Sequence, residues 1–514
     1  MRVAYSVADV RAAEATVMSQ VPEGALMAQA ARGLAVACVK WLAGRGRRVP
    51  GAQVVVLAGS GNNGGDALYA AAHLAGRGAR VTVVEVGGTL HPGGAAAVAH
   101  AGGRRVAGDD PAAAALVAGA DLVLDGIVGI GGTGALRPVA ARLARAGRGR
   151  IVAVDLPSGV DPDTGEVADP DACVQAELTV TFGVLKPGLV LPDGCWQAGM
   201  VHLVDIGLAP ALDGVAPALT LMDTAAAGAL VPAPGRADDK YTRGVVGVVA
   251  GSADYPGAGI LCTGAARFGG VGMVRYVGGA PDAVVTRWPE VVPTRLPQAA
   301  TGQAQPGLAG AGRVQAWIVG PGAGTDGWTR DRLAEALATE VPVLVDADGI
   351  TLVAGDAALR AAAVARSAPT LFTPHAGEFA RIGGDLSAPG GRLAAVRRLA
   401  SNLASVVLLK GAATVIAAPD GTAAVSASGP PDLATAGSGD VLSGLIGSLI
   451  AADAARSGAS AFADADVVRA AAGGAYLHGL AARLAAADGR PIVSEDVLAH
   501  VPAAIAVARG AVAL

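Results

Sequence analysis

At 514 residues the chain exceeds the usual domain size of roughly 100–200 residues, so two large domains are expected. Formal net charge is −4, from 39 Lys and Arg against 43 Asp and Glu, and only 16% of residues are charged. That composition excludes the basic face of a nucleic-acid binder and a polybasic membrane tract, and leaves small molecules as the expected partners. The N-terminal MRVAYSVADVRAAEATVMSQ lacks the uninterrupted apolar core of a signal peptide. The longest apolar stretches are cut by Gly and Ser short of the roughly 18–20 residues of a membrane span. Cys38, Cys173, Cys195 and Cys262 show no C-x-x-C spacing, which fits buried thiols in a reducing compartment and a cytoplasmic location.

In chain order, residues 52–59, 81–88, 120–126 and 151–159 are continuous β-branched runs ended by Gly or Pro, the pattern of strands buried on both faces. Ala- and Leu-rich stretches with Gly-rich ends lie between them and read as helices, so the first half is a parallel α/β sheet. Around 207–240, Pro, Gly and charges cluster as in an interdomain connection. A second α/β series follows, with strands predicted at 244–252, 316–322, 341–349, 369–378 and 405–411.

After the strand 52–59 comes GSGNNGGDALY. Gly59, Gly61 and Gly64 satisfy G-x-G-x-x-G, and Glu85 ends the next strand as a dinucleotide fingerprint asks, so a nicotinamide-dependent dehydrogenase is one reading. Against it, Asn62-Asn63 and Gly65-Asp66 crowd amides and a carboxylate into a turn that a pyrophosphate alone does not require. Asp125 and Asp155 stand at later strand ends, and the carboxyl ends of strands form the ligand crevice of an open α/β sheet. With the turn Pro157-Ser158-Gly159, these oxygen donors suit a hard cation. Helix capping is the alternative role of such strand-end acids.

Near the other end, GPPDLATAGSGDVLSG (429–444) is a glycine-rich turn running into an apolar helix. The first N–H groups of a helix have no internal partner and favour a phosphate, and Gly437 and Gly439 allow close main-chain approach. Asp440 beside that phosphate is placed to take a proton from a hydroxyl, an arrangement suited to phosphoryl transfer. An ordinary glycine-rich loop before a core helix is the alternative.

GSGNNGGD (59–66), DGIVGIGGTGALRP (125–138) and AVDLPSGVDPDTG (153–165) resemble the motifs of the NAD(P)H-hydrate epimerase family, the YjeF N-terminal domain, over roughly 1–210. The resemblance implies a substrate loop of Asn62, Asn63, Gly64, Gly65 and Asp66, and a second of Gly129, Ile130, Gly131, Gly132, Thr133, Gly134 and Ala135. It implies potassium on Asn63, Asp125 and Ser158, with Asp155 as the acid/base residue. IVGIGGTG departs from the family, whose members commonly carry a Phe and a shorter turn there. Lys186, in TFGVLKPG, matches a recurrent family segment; its other reading is a solvent-facing loop lysine.

The second half carries KYTRGVVGVVAGSADYPGAGILCTGAARFGGVGMV, VGPGAG, VLVDADG, FTPHAGE, LLKGAAT and ATAGSGDVLSG in order. Together they resemble the ADP/ATP-dependent NAD(P)H-hydrate dehydratase family over roughly 220–514. The resemblance implies a nucleotide on Lys410, Gly411, Ala412, Ala413, Thr414 and Gly439, and a hydrated nicotinamide near Ala258, Gly322, His375 and Asp440. Asp346 and Asp348 are placed either for a magnesium–phosphate complex or for turn capping, and His375 alone reads equally as a structural hydrogen-bonding residue. Ala376 and Leu433 stand where relatives often have Pro and Met.

The expected fold is thus a Rossmann-like three-layer domain (1–212) followed by a ribokinase-like α/β domain (218–514). The expected function is bifunctional repair of NAD(P)H hydrates: epimerisation of R and S forms, and dehydration of the S form using ADP or ATP. The implied cofactors are potassium in the first domain and magnesium with the nucleotide in the second, and a homo-oligomer is expected. A small-molecule kinase in the second half, or a binding module without chemistry in the first, are the rival readings.

Overall fold

The computed structural model describes residues 1–294, 307–458 and 462–511, which divide into two compact units, Val3–Leu219 and Thr220–Leu514 with Met1–Arg2. In the first unit, seven parallel strands run in the order Arg104–Ala107, Arg80–Glu85, Gln53–Ala58, Leu122–Gly126, Ile151–Val154, Leu178–Phe182, Met200–Val204. Alternate residues of each central strand face opposite sides, and both sides are buried. Val54, Val56, Leu122, Leu124, Val152 and Val154 pack with helices Ala25–Gly44 and Asn62–Ala75. Val55, Leu57, Val123, Ile151 and Ala153 pack with residues from Ala113–Ala118 and Pro138–Ala146. The result is three layers, which explains why the strands read as unbroken apolar runs. Among the described residues, only helix Ala25–Gly44 is long and apolar enough to cross a membrane, and it buries Leu34, Cys38, Trp41 and Leu42 in this core.

Strand order reverses between Gln53–Ala58 and Leu122–Gly126: the chain runs outward to one edge first, then returns and builds the other. Such a switch point leaves a crevice at the carboxyl ends of those two strands. The Asn63 loop follows one strand and Asp125 ends the other.

From strand Leu219–Leu221 onward, the sheet of the second unit runs Leu219–Leu221, Ala423–Ser426, Thr414–Ala417, Val406–Leu409, Thr370–Phe372, Val343–Val345, Ala316–Val319, Val245–Val249, Met273–Tyr276, Val292–Pro293. The strands from Val406–Leu409 to Val292–Pro293 are parallel, and Thr414–Ala417 is antiparallel to both its neighbours. Here the switch point lies between Val245–Val249 and Ala316–Val319. Helices Ser438–Ser457 and Asp464–Ala485 bury Leu445, Leu449, Leu477 and Leu480 in one core with Val246, Ile318, Leu344 and Leu408.

Several predicted strands are longer than the observed ones. The run 151–159 stops at Val154, because Asp155 turns with φ +65 and Gly159 with φ +103. The run 341–349 ends at Val345, since Asp348 already opens helix Asp348–Gly355; the run 369–378 ends at Phe372, with His375 capping helix Ala376–Arg381. In each case the surplus residues form the turn at the strand's carboxyl end. The stretch 207–240 holds strand Leu219–Leu221 and helix Thr224–Leu230. All four cysteines are free, and Cys38, Cys173 and Cys262 are buried.

Candidate active sites

At the first switch point, a cavity of about 1290 Å³ is lined by Arg11, Glu14, Asn62, Asn63, Asp66, Tyr69, His73, His91, Asp155 and the loop Ile127–Gly132, among others. Asn62, Asn63, Asp66, Tyr69 and His73 recur at three- and four-residue spacing, so one face of helix Asn62–Ala75 forms a wall. That helix starts at Gly61 with no side chain capping it, so its first N–H groups point toward whatever binds. Gly64 and Gly65 act by fit: a Cβ on Gly64 would lie 2.4 Å from the Gly59 carbonyl oxygen, and one on Gly65 would lie 3.0 Å from the His91 ring. Gly129, Ile130, Gly131 and Gly132 line the cavity, whereas Thr133, Gly134 and Ala135 are exposed away from its wall.

Asp155 occupies a left-handed backbone conformation that few non-glycine residues adopt. Its Oδ1 accepts from Lys186 Nζ (2.6 Å), Thr181 Oγ1 (3.0 Å) and the Phe182 N–H (3.3 Å). Lys186 is only 1% exposed, so the solvent-facing reading is wrong. Strand Leu178–Phe182 and the turn after it fold the lysine beneath Asp155, and its other protons go to Thr181 Oγ1 (3.1 Å) and the Phe182 carbonyl (2.9 Å). All three ammonium donors are committed.

Asp125 and Ser158 lie beneath the cavity. Ser158 donates to Asp125 through its N–H (2.8 Å) and its hydroxyl (2.7 Å), and the Ile127 N–H adds a third bond (3.3 Å). Among the described residues no basic side chain pairs with Asp125, and burial pushes its carboxyl up to about 6 against those hydrogen bonds. Ser158 Oγ also lies 3.1 Å from the Val128 carbonyl, and the Asn63 side chain abuts Gly129, whose Cβ would lie 3.0 Å from Asn63 Oδ1. Asn63 Nδ2 is buried with no hydrogen-bond partner among the described residues. This is an oxygen-rich nook around an uncompensated negative charge.

In the second unit, the carboxyl ends of strands Val343–Val345, Thr370–Phe372 and Val406–Leu409 meet the amino end of helix Ser438–Ser457. Lys410, after Val406–Leu409, donates to Asp346 Oδ1 (2.8 Å) and lies 3.8 Å from Glu378 Oε2. Asp346 Oδ2 accepts from Ser443 Oγ (2.7 Å), one turn beyond Asp440 on helix Ser438–Ser457. Burial opposes the lysine's charge, but Asp346 and Glu378 outweigh it and raise the Lys410 ammonium. Burial also pushes Asp440 up to about 7, aided by Asp346 and Asp348 and opposed by Lys410. A carboxylate so tuned is matched to proton abstraction near neutral pH.

Helix Ser438–Ser457 begins at Gly437, φ +85, where a Cβ would meet Leu261 at 2.5 Å, and no side chain caps it. Gly439 is already helical, so it serves by closeness: its Cβ would lie 3.4 Å from Lys410 Nζ. Gly411 and Ala412 are exposed, while Ala413 and Thr414 are buried where the next strand starts. Gly322 (φ +58) and Ala258 touch across the switch point, since a Cβ on Gly322 would lie 2.5 Å from that of Ala258. His375 Nδ1 caps its helix by accepting from Gly377 (3.0 Å), completing a capping box with Glu378. Asp346 does not cap a turn, and Asp348 Oδ2 accepts the Gly324 N–H (2.9 Å).

Sequence reasoning missed Glu14, Arg11 and His91 at the first site, which carried no motif. It also missed Glu378 and Ser443 at the second, although Glu378 stands at capping-box spacing from His375 and Ser443 three residues beyond Asp440.

Two switch-point sites, one with an ion-paired carboxylate beside an oxygen-rich nook, the other with a carboxylate and lysine at an uncapped helix start, define a fusion of two α/β enzymes. The family model described as YjeF-related protein N-terminus matches residues 23–188, and that for NAD(P)H-hydrate dehydratase matches 246–502. The bifunctional NAD(P)H-hydrate repair enzyme Nnr of Mycobacterium tuberculosis is 49% identical over 457 residues, 88% of this chain and 89% of that protein. The enzyme of the same name from Mycobacterium leprae is 46% identical over 497 residues, 96% of each chain. Among solved structures, an ADP/ATP-dependent NAD(P)H-hydrate dehydratase from Bacillus subtilis, co-crystallised with ATP/Mg2+, is 25% identical over 56% of this chain and 97% of its own, at a TM-score of 0.44. The chain belongs to the bifunctional NAD(P)H-hydrate repair enzymes, with the epimerase in its first half and the dehydratase in its second.

Proposed function

We propose that residues 1–212 interconvert the R and S forms of NADH and NADPH hydrates, and that residues 218–514 return the S form to NAD(P)H at the expense of ADP or ATP. The observation that carries the reading is the pair of preformed carboxylate–lysine centres, each at the carboxyl ends of the strands of its own sheet. In the first, Asp155 is the acid/base residue, with Asn62, Asn63, Asp66 and the loop from Gly129 shaping the substrate site. Asn63, Asp125 and Ser158 would hold potassium: each can offer an oxygen, around a buried carboxylate with no basic partner among the described residues. The ion would supply the positive charge that Asp125 lacks.

In the second centre, Asp440 takes the proton of the C6 hydroxyl, whose oxygen attacks the terminal phosphorus of the nucleotide. Lys410 and the N–H groups at Gly439 stabilise the transferring phosphoryl group. The C6–O bond then breaks with loss of phosphate, and a C5 proton leaves to restore the C5=C6 double bond. Phosphorylation converts hydroxide, a poor leaving group, into a good one. Ala258, Gly322 and His375 border the nicotinamide, and the strand turn Lys410–Thr414 borders the nucleotide. Magnesium would accompany the phosphates near Asp348; both oxygens of Asp346 are already engaged. We further place the protein in the cytoplasm as a homo-oligomer.

The test is full-length protein with a mixture of both hydrate epimers, followed by NADH absorbance. With ADP, magnesium and potassium, recovery should run to completion. Without potassium it should slow after the S form is consumed, and without nucleotide it should not begin. Accumulation of a stable phosphorylated product would instead identify a kinase.

A further inference from the structure

On helix Asn62–Ala75, the Asp66 side chain lies one turn beyond Asn62 and Asn63 and lines the same cavity as Asp155. Its Oδ1 is buried with no hydrogen-bond partner among the described residues. An ionised carboxylate without donors in such a place is costly. Among the described residues, none of the titratable groups that line the cavity with it, Arg11, Glu14, Glu23, Tyr69, His73, His91 and Asp155, hydrogen-bonds to Oδ1. Glu14, from helix Val7–Met18, and Asp155 are carboxylates, and Lys186 spends all three protons on Asp155, Thr181 and Phe182. Arg11 reaches the Ile130 carbonyl (3.4 Å), and His91 Nδ1 accepts the Gly94 N–H (3.1 Å). An oxygen in these surroundings is best served by carrying its own proton.

Asp155 is the complementary case. All of its donors converge on Oδ1, which leaves Oδ2 to the cavity. Two carboxyl groups in one cavity, one cation-paired and one without donors, divide into base and acid. We propose that Asp66 is a second catalytic group of the epimerase site, a carboxylic acid that protonates the departing C6 hydroxyl while Asp155 serves the incoming water. The inference rests on the reading of the first half as an epimerase. In the step, the Asp66 proton passes to the C6 oxygen and the C6–O bond breaks. The ring-nitrogen lone pair forms the C6=N1 bond, and water leaves. Water then adds to C6 from the other face, giving its proton to Asp155 Oδ2 as the C6=N1 pair returns to nitrogen. One water departs and one enters, and proton exchange through solvent resets the two carboxyl groups. Burial first, and then the charges of Asp155 and Glu14, raise the Asp66 carboxyl well above the ordinary range against the opposing Lys186, which favours the protonated acid.

The experiment is Asp66→Asn in the full-length chain, assayed on a purified single epimer. Loss of a positioned acid is expected to lower epimerisation kcat by about 10²–10⁴-fold, with KM little changed and dehydration of pure S hydrate intact. Wild-type epimerisation should also fall as pH rises and Asp66 loses its proton, and the Asn variant should lack that limb. Asp66→Glu should retain the limb at a shifted position, and it decides the matter if the Asn variant does not fold. Near-wild-type kcat in the Asn variant, a change in KM alone, or an unmoved limb in the Glu variant overturns the proposal. A wild-type chain that leaves both epimers unchanged overturns the epimerase reading and this inference together.

Discussion

The two centres are built from the same parts in the same place, a lysine and carboxylates at the carboxyl ends of strands beside a switch point, yet they wire the lysine differently. Lys186 is bonded to Asp155 itself and has no proton left for a ligand. Lys410 is anchored on Asp346, which leaves Asp440 without a direct cation partner and leaves ammonium protons free for a phosphate. The first arrangement ties one carboxylate oxygen to a cation and leaves the other free; the second poises a base near neutral pH and presents a charge to the nucleotide. Which carboxylate the lysine contacts separates a site that needs no phosphate from one that does.

The sharpest break of that comparison is Asp440→Asn. It keeps size and shape but cannot accept the C6 proton, so dehydration should fall by about 10²–10⁴-fold while epimerisation is untouched. Nucleotide binding by calorimetry should persist, since the Gly439 N–H groups remain. Near-normal NADH recovery would remove Asp440 from the mechanism.

Exchanging each lysine for methionine tests the wiring directly. Lys186→Met strands Asp155 without its buried partner, at an expected cost of about 3–5 kcal/mol in stability, read as an earlier denaturant transition together with lost epimerisation. Lys410→Met should act mainly on ADP affinity, because a partly accessible phosphate ligand is lost. If both variants weakened nucleotide binding and neither destabilised the fold, the distinction drawn between the two lysines would be wrong.

The smallest expected effect is in pH. Asp440 works only when ionised, and its carboxyl sits at about 7. The dehydration rate at subsaturating substrate should therefore hold above neutrality and fall as pH drops through about 7, by about tenfold for each further unit. The residual rate of Asp440→Asn should show no such limb. A wild-type profile flat down to the ordinary aspartate range would show that Asp440 is not the base.

Much of this organisation is legible in the chain because it is local. β-Branched runs ended by Gly mark strands buried on both faces, and strand ends, turns and glycine-rich helix starts carry Asn63, Asp125, Gly322, Lys410 and Gly439. A glycine pressed against a carbonyl or a positive φ, as at Gly64 and Gly437, leaves its mark on the residue itself. What the sequence by itself determined was therefore the two α/β series, their loops and the oxygen-rich composition of those loops.

The tertiary structure decided which of these residues touch, and hence what each does. Lys186 lies 31 residues beyond Asp155, and nothing in TFGVLKPG says whether it faces solvent or a carboxylate; the packing of strand Leu178–Phe182 beside Ile151–Val154 places it underneath. Glu14 reaches the Asp66 cavity from a helix at the far N-terminal end of the chain, and Ser443 reaches Asp346 across 97 residues. Charge states follow from such contacts, because burial and neighbouring charges belong to the folded arrangement and no residue type carries them alone. That is why Asp66, Asp155 and Asp440, three identical side chains following similar glycine-rich turns or strand ends, become an acid, an ion-paired carboxylate and a neutral-pH base.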